Sequence, residues 1–127
     1  MVRRYRCRAC AAIVTVVPPG VTHRRHFGAG AIAIALFVFG KLRASAAVTA
    51  ERIGGWGRGS GAWRTLRRWL DAVELGRLFP RIYRSISARG APRERAANTA
   101  RVIAALVPEM FAATELGRVF AGAARAG

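Results

Sequence analysis

Carboxylates are the scarcest chemistry in this chain. Against 22 lysine and arginine residues stand only 6 acidic ones, and Asp71 is the single aspartate. Glu51, Glu74, Glu94, Glu109 and Glu115 are scattered along segments of helical character. Two-metal phosphoryl chemistry needs carboxylates gathered to hold metal ions beside phosphates, and scattered ones do not supply that set. Asp71 and Glu74 share a helical face with arginines and are expected to pair with them. Cysteine is as sparse, with Cys7 and Cys10 alone. A disulfide between residues so close would constrain little chain. Lysine is nearly absent. The glycine-rich run at 54–61 therefore has no phosphate-cradling lysine, nor a strand ahead of it. Nothing draws Ser60, His23 and Asp71 together. No enzymatic activity is expected.

A long apolar run is missing too. Residues 27–40, FGAGAIAIALFVFG, carry no charge over 14 positions. A membrane span needs about 20. Lys41 and Arg43 cut the run short, and His23 to His26 bound it on the other side. A buried core helix is the expectation. The N-terminus makes a poor secretory signal: Arg3, Arg4, Arg6 and Arg8 precede an apolar run that ends in Pro18-Pro19-Gly20 without a small-residue cleavage site. The expected location is cytoplasmic.

What is abundant is positive charge on a hydrophobic chain. A net charge of +16 and a hydrophobic fraction of 53% over 127 residues describe a single basic domain with a modest core. Such a domain attracts polyanions. DNA is the expected partner, and an anionic membrane surface the alternative.

The expected fold is mainly α: a helix-turn-helix-like bundle with a short N-terminal β segment. Basic and apolar residues alternate from Arg3, ending in the β-branched run Ile13-Val14-Thr15-Val16-Val17, which reads as a strand or hairpin. Helices are expected over 29–39, apolar almost all round and so central, then over 45–53, 62–75, 93–107 and 109–124. Ala46, Ala47, Val48 and Ile53 are the packing residues expected of the second helix. Phe79, Ile82, Tyr83 and Ile86 are those of the irregular 76–92 stretch. Phe111, Leu116, Val119 and Phe120 are those of the last helix. Three regions follow: a β segment at 1–22, a helical core at 23–75 and a helical extension at 76–127, compact with the core.

The third helix carries the functional pattern. At about 100° per residue, Ala62, Trp63, Leu66, Trp69, Leu70 and Val73 fall within an arc of roughly 120°. Arg64, Arg67, Arg68, Asp71 and Glu74 lie on the other side. With two helices ahead of it, this helix can lie in a major groove, where arginine donates two hydrogen bonds to guanine. Arg64, Thr65, Arg67 and Arg68 are the candidate DNA contacts, joined by Arg24, Arg25 and Arg58. Trp63, Leu66, Trp69 and Leu70 position the helix. The connection at 54–61 is longer than the usual 3–4-residue turn.

Cys7-x2-Cys10-x12-His23-x2-His26 approaches a C2H2 zinc finger, but that site expects three to five residues between the histidines. Pro18-Pro19-Gly20 also sits where its helix would lead in. Half a zinc ribbon and a pair of free thiols are the remaining readings of Cys7 and Cys10.

Arg4-Tyr5-Arg6-Cys7-Arg8-Ala9-Cys10, a hydrophobic strand and Val17-Pro18-Pro19-Gly20 together resemble the C-terminal knuckle of the zinc ribbons on bacterial transposase-related proteins. In that family a basic segment like His23 to Phe27 leads into helices ending in a motif like Thr65-Leu66-Arg67-Arg68-Trp69. The resemblance spans residues 3–75. It implies DNA binding, zinc held by Cys7 and Cys10, and recognition by the third helix. The family's first Cys-x-x-Cys knuckle is missing, as in an N-terminally truncated copy. The alternatives are a small basic membrane-associated protein anchored by residues 27–40 and a non-functional transposase remnant.

Overall fold

A computed structural model of the protein describes residues 3–6, 8–16, 27–54, 60–86 and 89–127. The fold is mainly α. Strands β1 (Arg3–Arg6) and β2 (Ile13–Val16) form an antiparallel hairpin in which Arg4 faces Thr15 and Tyr5 faces Val14. Five α-helices follow among the described residues: α1 (Ala29–Gly40), α2 (Ala46–Ile53), α3 (Ser60–Glu74), α4 (Pro92–Ala105) and α5 (Glu115–Ala126). Short 3-10 turns at Tyr83–Ser85 and Glu109–Phe111 precede α4 and α5.

Helix α1 is the axis of the molecule. Ile32, Ala33, Ala35 and Leu36 are fully buried, and Phe37, Val38 and Phe39 nearly so. Its N-cap residue Gly28 makes no side-chain cap, and neither end carries a complementary charge. Burial therefore stabilises this helix more than local signals do, at about 1.5–3 kcal/mol for each large apolar side chain. The neighbours that bury it are chiefly α4 and α5. Their buried faces are mostly small: Ala96, Thr99, Ala100 and Ala104 beside the one large residue Ile103 on α4, and Val119, Gly122, Ala123 and Ala126 on α5. A single apolar core runs from Ala29 to Ala126 and includes residues of all five helices.

Several expected details differ. In α2, Thr49 and Ala50 are buried while Ala47 and Val48 are exposed. The Ser45 hydroxyl caps the helix by accepting from the Val48 N–H at 3.2 Å, which fixes its phase. Thr49 tolerates burial because its hydroxyl donates to the Ser45 carbonyl at 2.8 Å. The chain does not enter α5 at residue 109. A 3-10 turn and a break come first, and Thr114 caps the helix by accepting from the Gly117 N–H. Phe111, Leu116 and Phe120 are consequently exposed, and of the four expected packing residues only Val119 is buried. Tyr83 is exposed as well, and Leu78 is buried beside Phe79 and Ile82.

Candidate nucleic-acid interface

Helix α3 is held by its apolar arc. Ala62, Leu66, Trp69, Leu70 and Val73 are buried, and the Trp69 ring meets Phe27 edge-on at 5.8 Å. Trp63, expected to pack, keeps 37% of its surface exposed and leans on Phe39 with ring centroids 5.9 Å apart. With that arc fixed inward, helical geometry turns Arg64, Arg67 and Arg68 outward, and all three are exposed. Thr65 is half-buried, and its hydroxyl donates to the Gly61 carbonyl at 3.0 Å. That bond commits the hydroxyl's only proton to α3 itself, and Thr65 sits at the margin of the face.

Among the described residues, no ion pair joins the carboxylates of α3 to Arg67 or Arg68. Arg95 of α4 reaches across instead. Its Nη2 lies 2.8 Å from Glu74 Oε1 and 3.7 Å from Asp71 Oδ1. The closer approach is an ion pair whose angle falls short of a directed hydrogen bond, and Arg95 Nε is buried without a partner among the described residues. No ion pair involves Arg67 or Arg68 among the described residues. The outward face of α3 is thus basic because a neighbouring helix occupies its acids. Sequence reasoning missed Arg95, which looks like any solvated arginine at 93–95. The one signal was indirect: two acids on α3 in a chain that has almost none.

A second arginine of α4 is structural. Arg93 Nη1 donates to the carbonyls of Phe39 at 2.8 Å and Ala44 at 2.9 Å. Its guanidinium lies 4.6 Å from the Phe39 ring centroid. A cation thereby meets an orphan carbonyl at the C-terminal end of α1. Arg43, with φ +56°, turns the chain there.

Of the remaining candidate site residues, Cys10 alone is among the described residues. Arg24, Arg25 and Arg58 lie outside the described residues, as do Cys7, His23 and His26. Cys10 is exposed with a free thiol, and Arg4, Arg6 and Arg8 are exposed on and beside the hairpin. No group of three or more His, Cys, Asp and Glu side chains gathers among the described residues. No helix among them is long and apolar enough to cross a membrane.

No protein-family model, curated protein or solved structure matches this chain.

Proposed function

We propose that the protein is a DNA-binding module of transposase-related or regulatory type, acting in the cytoplasm and without catalysis of its own. Arg64, Arg67 and Arg68 of α3 contact the duplex, and Arg24, Arg25 and Arg58 add phosphate contacts. In the same reading Cys7 and Cys10 are the thiolates of half a zinc ribbon. One observation carries the proposal: α3 presents its arginines outward while Arg95 takes up Asp71 and Glu74. A helix that merely solvates a surface has no need of that arrangement. Membrane anchoring through residues 27–40 is disfavoured because α1 would have to leave the core it centres.

Binding to a labelled duplex is expected to weaken with salt, log affinity falling by about 0.9 per phosphate contact for each unit of log salt. Replacing Arg64, Arg67 and Arg68 together with alanine should flatten that slope by up to about 2.7. Fluorescence anisotropy at several salt concentrations reads it directly. An unchanged slope would remove α3 from the interface.

A second expectation follows from Arg95. In Arg95→Met, Asp71 loses its partner and stands within helical reach of Arg67 (i, i+4) and Arg68 (i, i+3). Duplex affinity should fall although residue 95 is not on the face. Adding Asp71→Asn and Glu74→Gln to that variant should restore it. Failure of the restoration would mean that Arg95 touches the DNA itself or acts only on stability, which a parallel urea titration separates.

A further inference from the structure

At Trp63, where the buried arc of α3 meets its outward face, a cleft of about 450 Å³ opens between the end of α1 and the starts of α2 and α4. Phe39, Trp63 and Pro92 wall it, Ser45 and Ala46 rim it, and Arg93 stands beside them. Its size is that of a small-molecule site, and its lining of aromatic surface with one charged group is the usual composition of such sites. Trp63 is the feature that asks for an explanation. A tryptophan on the apolar arc of an amphipathic helix would ordinarily be covered, yet here it stays over a third exposed at the mouth of a cavity.

The charge of the cleft selects among occupants. No carboxylate lines it. Arg93 uses Nη1 for the Phe39 and Ala44 carbonyls, which leaves the protons of Nε and Nη2 to donate. The first-turn N–H groups of Ala46 and Ala47 have no acceptor within α2, since the Ser45 hydroxyl takes only the Val48 N–H. At α4 the first helical residue, Pro92, has no N–H, and the Glu94 carboxylate already occupies that helix end, its Oε2 accepting from the N-cap Ala91 N–H at 3.1 Å. The anion-seeking groups are therefore Arg93 and the start of α2, and both adjoin apolar walls.

We propose that this cleft binds a small planar aromatic carboxylate. The ring slots against Trp63, Pro92 and the Phe39–Arg93 stack, and the carboxylate takes the spare Arg93 N–H groups and the first turn of α2. A charge-assisted hydrogen bond is strongest beside apolar surface that excludes water. The site does not depend on DNA binding, and its test makes no use of DNA.

The test is an NMR titration of the full chain with sodium benzoate, with benzyl alcohol as the neutral match. The Trp63 indole N–H resonance is assigned by its loss in Trp63→Phe. Benzoate should move it saturably, with a Kd on the order of 1–10 mM for so small a probe, and benzyl alcohol should bind at least about tenfold more weakly. Ala46→Glu places a carboxylate at the rim, where the first turn of a helix favours one. It should keep the fold and weaken benzoate at least about tenfold. Ala121→Glu adds the same charge at an exposed position of α5, away from the lining and from the first turn of α2, and should leave the titration unchanged. The proposal fails if no saturation appears, if benzyl alcohol matches benzoate, or if Ala121→Glu weakens binding as much as Ala46→Glu. That last result would show attraction to the overall charge of the protein instead of to the cleft.

Discussion

Gly122→Ala is expected to destabilise the protein by about 2–4 kcal/mol, although alanine is the better helix former. In an isolated helix the substitution would gain about 1 kcal/mol. In this bundle the new methyl group would lie inside the van der Waals envelope of the Ile103 carbonyl oxygen, and 3.0 Å from that residue's carbonyl carbon and Cγ2. The obstacle is the backbone of α4, so no side-chain rotation relieves it. The two helices must separate, and with them the small-residue seam that covers α1. Overpacking of this kind costs about 1–3 kcal/mol and sometimes more. Gly40 is similarly placed, since a Cβ there meets the backbone of Ala96 and Ala97. Gly30 provides the contrast. Its added methyl group would meet the Phe120 ring at 2.5 Å, but that ring is 59% exposed and can swing away. Urea unfolding followed by circular dichroism should rank Gly122→Ala and Gly40→Ala well below wild type and Gly30→Ala near it. Equal stability of Gly122→Ala and Gly30→Ala would show that α4 and α5 are not in close contact.

Trp69→Ala should cost about 3–5 kcal/mol. Trp69 is 4% exposed and is the largest side chain on the buried arc of α3. Its removal leaves a cavity between α3 and the core and abolishes the edge-to-face contact with Phe27, itself worth about 0.5–1.5 kcal/mol. Trp69→Phe should recover most of the loss, because a ring still fills the space. A chemical-denaturation midpoint for Trp69→Ala within about 1 kcal/mol of wild type would refute the packing described for α3. In the proposed DNA-binding role the same variant should weaken duplex binding even where the protein remains folded, since the arginines would lose their rigid base. Trp63→Ala offers the comparison. It removes an equally large ring from a half-open position, so the loss of stability should be smaller.

The contrast between α3 and α5 shows what could be read from residues alone. In α3 large apolar and charged side chains alternate with helical period, so the buried face and the outward arginines were both visible in the sequence. Helix α5 offered Leu116 and Phe120 as an equally plausible anchor. It packs instead through Val119, Gly122, Ala123 and Ala126. The reason is the partner. Helix α1 is apolar around its whole circumference, so two helices can approach it closely, and close approach selects small residues over large ones. Hydrophobicity by residue cannot register that preference. Asp71 and Glu74 were misassigned for a related reason. Spacing along one helix brings arginines within reach, but only the tertiary crossing of α3 and α4 introduces Arg95 as a competitor. The cleft was not legible at all, since Phe39, Trp63 and Arg93 come from three helices far apart in the chain. The outward placement of Arg64, Arg67 and Arg68 was legible, whereas Thr65 lies half-buried at the edge of that arc because helical phase sets it past Arg68.

The order in which the chain supplies its core has a consequence for synthesis. Helix α1 is complete by Gly40, but the helices that cover it end at Ala126. At about 5–20 residues per second, translation of the intervening stretch takes roughly 4–17 s. Throughout that interval the most apolar segment of the protein has emerged, or is emerging, without its cover. An amphipathic helix could shield itself against water by orientation, whereas this one has no polar side to offer. The nascent chain therefore presents a hydrophobic ligand to ribosome-associated chaperones for longer than its small size suggests. Its yield in the cell should track the supply of those chaperones more closely than its equilibrium stability would indicate.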